Sequence, residues 1–159
     1  MMQHEDTTDR ILAAFYKVYN TLGFGFLEKV YENAMAIELR KRGLHYSQQH
    51  RIQVFYDGVV VGDFAADIFV LSRVMVELKS VERLSDGHKS QLVNYLRSTE
   101  CEVGLLLNFG PKPEVKRVVF SNTRKTSLVS DPRESVVLSA FSVAPSSLLP
   151  SPDSEDSIG

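Results

Sequence analysis

The stretch Phe64-Ala65-Ala66-Asp67-Ile68-Phe69-Val70-Leu71-Ser72-Arg73-Val74-Met75-Val76-Glu77-Leu78-Lys79 decides how this chain folds. Two apolar runs flank the break Leu71-Ser72-Arg73, which reads as two strands joined by a turn. Alternate residues of a strand share a face. Val74, Val76 and Leu78 therefore point one way, and Met75, Glu77 and Lys79 the other. Asp67 is the lone acid of the first run, and Asp67 and Glu77 are equidistant from Ser72. Pairing about that turn brings the two carboxylates together.

An acid and a lysine inside an apolar strand are costly to bury unless they serve each other or a ligand. Glu77 and Lys79 alone are accounted for by an ion pair on a half-exposed strand. Two facing carboxylates repel, and a divalent ion resolves that repulsion, because Mg2+ takes oxygen ligands and is often held by one or two carboxylates. A neighbouring lysine can then orient a water or neutralise charge developing on a phosphate.

Outward from this hairpin the periodicity is plain. Ile11, Leu12, Phe15, Val18, Tyr19 and Leu22 predict a helix over residues 8–22, capped by Asp6, Thr7 or Thr8. Gly23-Phe24-Gly25 breaks it. A second helix over residues 27–42 turns Val30, Tyr31, Ala34, Met35 and Ile37 inward and ends at Gly43. Ile52, Val54 and Tyr56 then alternate, and Asp57-Gly58 marks a hairpin whose return strand bends near Gly62. A helix over 85–99, a buried strand over 103–109 and a strand over 116–120 complete an order α, α, β, β, β, α, β, β. That order predicts one mixed α+β domain over residues 1–121.

Composition narrows the classes. All six prolines lie at or beyond Pro111, and six serines and three prolines fill half of the 18 positions from Ser142 to Gly159. Residues 142–159 read as a disordered acidic tail. Residues 122–141 form an intermediate extension, in which Val136, Val137, Leu138 and Phe141 suit a short strand or docked segment. Cys101 is the only cysteine, which excludes a disulfide framework and a cysteine zinc cluster. No signal peptide or membrane-spanning run is legible, so a reducing cytoplasm and no membrane partner are expected. The net charge is −2. Residues 121–159 hold three basic residues and five acids and account for all of it, which leaves 15 of each sign in residues 1–120. Binding to nucleic acid by a broad basic surface is therefore excluded, but a local cleft is not.

Further candidates sit on the helices. Glu28 and Tyr31 share a face at the start of the second helix, where an acid also suits the helix dipole. His88, Gln91 and Tyr95 share a face of the third, where a polar stripe at the solvent edge is the plain alternative.

Together these residues carry a resemblance. Gly25-Phe26-Leu27-Glu28-Lys29-Val30-Tyr31 fits a GxxExxY signature, Asp67 with Glu77-Leu78-Lys79 fits a D…ExK core, and His88, Gln91 and Tyr95 fit the helix motif that follows it. Leu105 to Gly110 fits the closing strand and turn. The chain resembles the GxxExxY family of the PD-(D/E)XK nuclease superfamily over about residues 8–121. The resemblance implies a restriction-endonuclease-like αβββαβ core with an extra N-terminal helix. It implies Mg2+ or Mn2+ held by Asp67 and Glu77 with Glu28 assisting, and Lys79 positioning the hydrolytic water. Gln91, Tyr95, His88 and Tyr31 would support the site or touch substrate. The reaction implied is phosphodiester hydrolysis in nucleic acid, DNA before RNA, with a homodimer or partner subunit to cut both strands. Ala66 stands in place of the proline that names the superfamily, Ala65 in place of a basic residue, and Phe24 in place of a proline of the glycine turn. Two other readings fit the same residues: a binding module that keeps the fold without turnover, and an interaction protein using Arg40-Lys41-Arg42 or the tail. Deletion of residues 142–159 is expected to leave the melting temperature nearly unchanged, as calorimetry would read.

Overall fold

The computed structural model describes residues 4–128. The segment around Val136–Phe141 and the tail from Ser142 lie outside them. The elements run α1 (Glu5–Leu22), α2 (Glu28–Lys41), β1 (Tyr46–Tyr56), β2 (Val59–Val70), β3 (Val74–Lys79), α3 (Asp86–Arg97), β4 (Val103–Phe109), β5 (Pro113–Val119) and α4 (Asn122–Leu128). The five strands form one sheet in the order β1-β2-β3-β4-β5. β3 and β4 are parallel, with α3 as their crossover, and the other pairs are antiparallel. Strands covered on both faces read as continuous apolar runs, and every residue of β4 is buried.

The alternation read on β3 sorts its residues between two cores. Val74, Val76 and Leu78 join Ile11, Phe15, Tyr31, Met35 and Leu39 beneath α1 and α2. Met75 joins Leu92, Tyr95 and Leu96 beneath α3. On β2, Ile68 and Val70 face the α1–α2 side, whereas both Phe69 and Ala66 pack on the α3 side. Strict alternation is thus broken between Ala66 and Ile68. The β1 register runs Gln48↔Ile68 and His50↔Ala66, and between them Gln49 takes a φ of 53°.

Local chemistry sets the ends. At the close of α2, the Gly43 amide donates to Arg40 O and the Leu44 amide to Leu39 O, both at 3.0 Å, with Gly43 at φ 69°. That pair of bonds satisfies carbonyls that a helix end leaves unpaired, and Leu44 and Leu39 share a core. In the hairpin, Tyr56 pairs with Val59, and Asp57 and Gly58 both have positive φ, the geometry that matches strand twist. The expected bend is a bulge: Val54 pairs with Gly62 but Phe55 with Val60.

Several expectations are corrected. α1 begins at Glu5 behind His4, with no side-chain cap, because Thr7 and Thr8 are buried in the body. Glu5 and Asp6 in the first turn favour the dipole instead. On α2 the buried stripe is Tyr31, Met35 and Leu39 with Glu32 and Ala36, so Val30 and Ile37 lie outside. Of the alternating Ile52, Val54 and Tyr56, Ile52 is buried whereas Tyr56 is 75% exposed at the tip of the hairpin. β5 starts at Pro113, which an edge strand tolerates. Helix α4 was not legible. It docks through Lys125, 4% exposed, whose Nζ donates to Thr99 O and Cys101 O at 2.7 Å. Among the described residues no helix is long and apolar enough to cross a membrane.

Gly43→Ala is expected to destabilise the fold by about 1 kcal/mol, because alanine is strained at positive φ. A urea midpoint that falls with an unchanged slope checks it.

Candidate active site

β2 and β3 pair from Val70↔Val74 to Ile68↔Val76, the register centred on Ser72. There the ladder changes. The Asp67 amide donates to Glu77 Oε1 at 3.1 Å, and the Leu78 amide donates to Asp67 Oδ2 at 2.8 Å. Two side-chain carboxylates replace main-chain carbonyls, and the strands part.

Glu77 is 4% exposed. Burial and the neighbouring Asp67 carboxylate push its pKa up to about 8, against the bond from the Asp67 amide and the charge of Lys79. Burial also raises Asp67, opposed by its bond from Leu78 and reinforced by Glu32 and Glu28. Both groups are thus reluctant to ionise together. A divalent cation relieves that cost, and Mg2+ is commonly held by two carboxylates completed by water and substrate oxygens. The donor set fits such an ion. Among the described residues no group of three His, Cys, Asp or Glu forms a ready metal cluster. Asp67 and Glu77 are the carboxylates that meet, and the charge of Glu28 reaches both from the exposed first position of α2.

On the α3 side a polar relay reaches the same point. Lys79 Nζ donates to Gln91 Oε1 at 3.3 Å, and Gln91 Nε2 donates to the Tyr95 hydroxyl at 2.9 Å. Burial raises the Tyr95 pKa, against the Gln91 bond, and Glu77 and Asp67 add to the rise. Gln91 and Tyr95 therefore stand with the acid pair.

The structure gives Tyr31 and His88 other tasks. The Tyr31 hydroxyl donates to Gly23 O at 2.7 Å and accepts from the Phe26 amide at 3.2 Å, and its ring stacks on Phe109 at 4.1 Å. It fixes the α1–α2 loop, and so the start of α2 and Glu28. Ser80 Oγ donates to Phe26 O at 2.8 Å and ties that loop to the end of β3. His88 caps α3: its Nδ1 accepts from the Ser85 amide at 3.0 Å, and its own amide donates to Ser85 Oγ at 3.3 Å. That reciprocal cap sets the helix that carries Gln91 and Tyr95.

Sequence reasoning missed Glu32. It is 3% exposed and accepts from Lys29 Nζ at 2.7 Å, Gln48 Nε2 at 2.6 Å and Gln49 Nε2. Gln49 Nε2 also reaches Asp67 Oδ1 at 3.4 Å, which links α2 to the acid pair. The available signal was Glu28 and Glu32 at i and i+4, one face of α2.

A family model described as the PD-(D/E)XK nuclease superfamily matches residues 5–118. The chain belongs to the PD-(D/E)XK nuclease superfamily. No curated protein matches it. A solved structure titled "Crystal structure of SSO0001" is similar at a TM-score of 0.47 and 14% identity, over 92% of this chain and 80% of that chain. The sheet flanked by helices is the restriction-endonuclease-like architecture of the PD-(D/E)XK superfamily, whose members generally use divalent ions on nucleic-acid substrates.

In this PD-(D/E)XK chain the raised carboxyls fix the sign of a pH effect. Between the ordinary carboxylate range and about pH 8, the folded state holds a proton on Glu77 that the unfolded state has lost. Stability in a chelator is therefore expected to fall as pH rises through that window. Glu77→Gln should flatten the slope and raise stability at pH ~8. Urea unfolding at both ends of the window measures it.

Proposed function

We propose that this chain is a nuclease of the GxxExxY branch that hydrolyses phosphodiester bonds of nucleic acid with Mg2+ or Mn2+, DNA before RNA. The observation that carries the reading is the convergence of Asp67, Glu77 and Lys79 where β2 and β3 part. Gly25-Phe26-Leu27-Glu28-Lys29-Val30-Tyr31 supports the branch, since Tyr31 holds the loop that leads into Glu28 at the start of α2.

Asp67 and Glu77 would hold the ion, with Glu28 adding charge or a water-mediated contact. Such an ion lowers the pKa of a bound water and polarises a phosphoryl oxygen. Lys79, restrained by Gln91, places a cation at the same point, where it can orient the attacking water and offset charge growing on the phosphate. Tyr95 keeps Gln91, and so Lys79, in place. Glu77 must give up its proton for the ion, so ion uptake should strengthen as pH rises towards about 8. The charge balance of residues 1–120 supports weak binding without metal. A second copy or partner subunit would be needed to cut both strands together. A reducing cytoplasm suits the lone Cys101, which is buried with a raised pKa.

With Mg2+ or Mn2+, purified protein is expected to cut single- or double-stranded DNA, and Asp67→Ala or Lys79→Ala to lose roughly a hundredfold or more in rate. Calorimetric titration should give metal heat that Glu77→Ala removes. Wild type no more active than the two variants, across both ions and several substrates, would overturn the reading in favour of a module that keeps the fold without turnover.

A further inference from the structure

Phe64 stands three residues before Asp67 on β2. That is about 10 Å of strand. Its ring lies 5.6 Å from that of Tyr95, the residue that holds Gln91 and through it Lys79. Phe64 shares its face with Ala66, which lies on the α3 side. Yet 45% of Phe64 is exposed, so Tyr95 covers only part of the ring.

The strand makes room for this ring. A Cβ at Gly62 would lie 2.7 Å from Phe64 Cε2, so the ring fills the space that any side chain at 62 would need. Gly62 also sits at the bulge, where the strand turns. A glycine and a bulge thus set an aromatic ring against Tyr95, about 10 Å along β2 from the acid pair, and leave nearly half of Phe64 exposed.

The ligand class follows, and it rests on the nuclease reading. Bases stack on aromatic rings with little sequence preference, because every base has a π-face. A base inside continuous duplex has its faces covered by its neighbours, whereas an unpaired base is free to stack. We propose that Phe64 is a stacking platform for an unpaired base next to the phosphodiester held at Asp67, Glu77 and Lys79. It selects single-stranded or frayed nucleic acid over continuous duplex.

The chain holds no tryptophan, so Phe64→Trp carries its only one. The full chain is titrated with a short labelled oligothymidine and with a blunt duplex, with Ca2+ replacing Mg2+ so that binding is read without turnover. Phe64→Leu is expected to lose roughly tenfold in affinity for the single strand, keep its duplex affinity, and melt close to wild type. Phe64→Trp should restore single-strand affinity, and its emission should be quenched on binding. The inference is overturned by three outcomes: Phe64→Leu binding the single strand like wild type, equal losses on both substrates, or Phe64→Trp binding with unchanged emission. Any of these in a chain that still cleaves through Lys79 removes the stacking platform alone. A wild type that binds neither substrate removes the nuclease reading with it.

Discussion

Two main-chain amides at the fork of β2 and β3 are satisfied by carboxylates. A buried amide without a partner is costly, so Asp67 N and Leu78 N must find acceptors where the ladder stops. Glu77 and Asp67 supply them, each accepting from the other's strand. The acids are thereby held by the backbone they relieve. The end of the β2–β3 ladder and the acid pair are one set of atoms.

The rest of the body surrounds that fork. The apolar face of β3 is pressed against α1 and α2, and its other face meets α3. Parallel pairing with β4 runs through Lys79↔Asn108, so the charged end of β3 is braced by a wholly buried strand. Asn108 extends the brace by bonding Val81 and Glu114. Glu32 and its glutamine partners anchor the other side. Burial close to this charge is a local disadvantage that surrounding packing offsets, as functional sites commonly require.

Much of this was legible in the sequence, because local rules and global fold agree there. The bounds of β3, the Asp57-Gly58 turn, the bulge at Gly62 and the register about Ser72 all follow from strand alternation and turn chemistry. The approach of Asp67 to Glu77 and Lys79 follows from them, whereas the place of Gln91 and Tyr95 came from the resemblance. Periodicity failed where a polar residue is buried or an apolar one is not. Glu32 reads as surface until its three donors are seen, and Val30 and Ile37 read as core. Helix α4 is short and polar, and its docking depends on a lysine that finds two distant carbonyls. The roles of Tyr31 and His88 rest on contacts that spacing does not encode.

The starts of α1 and α4 have a shared location. His4, Ser72, Arg73, Glu100 and Asn122 line one recess at the start of β3 and β4, and Cys101 Sγ donates there to Arg73 O at 3.2 Å. The fork and Lys79 lie at the other end of the same strands, about 17 Å away along β3. His4, just ahead of α1, and Asn122, the first residue of α4, thus share the pole opposite the acid pair. A domain fused ahead of His4 would therefore start from the far side of the body, where it leaves Asp67, Glu77 and Lys79 uncovered at its point of attachment.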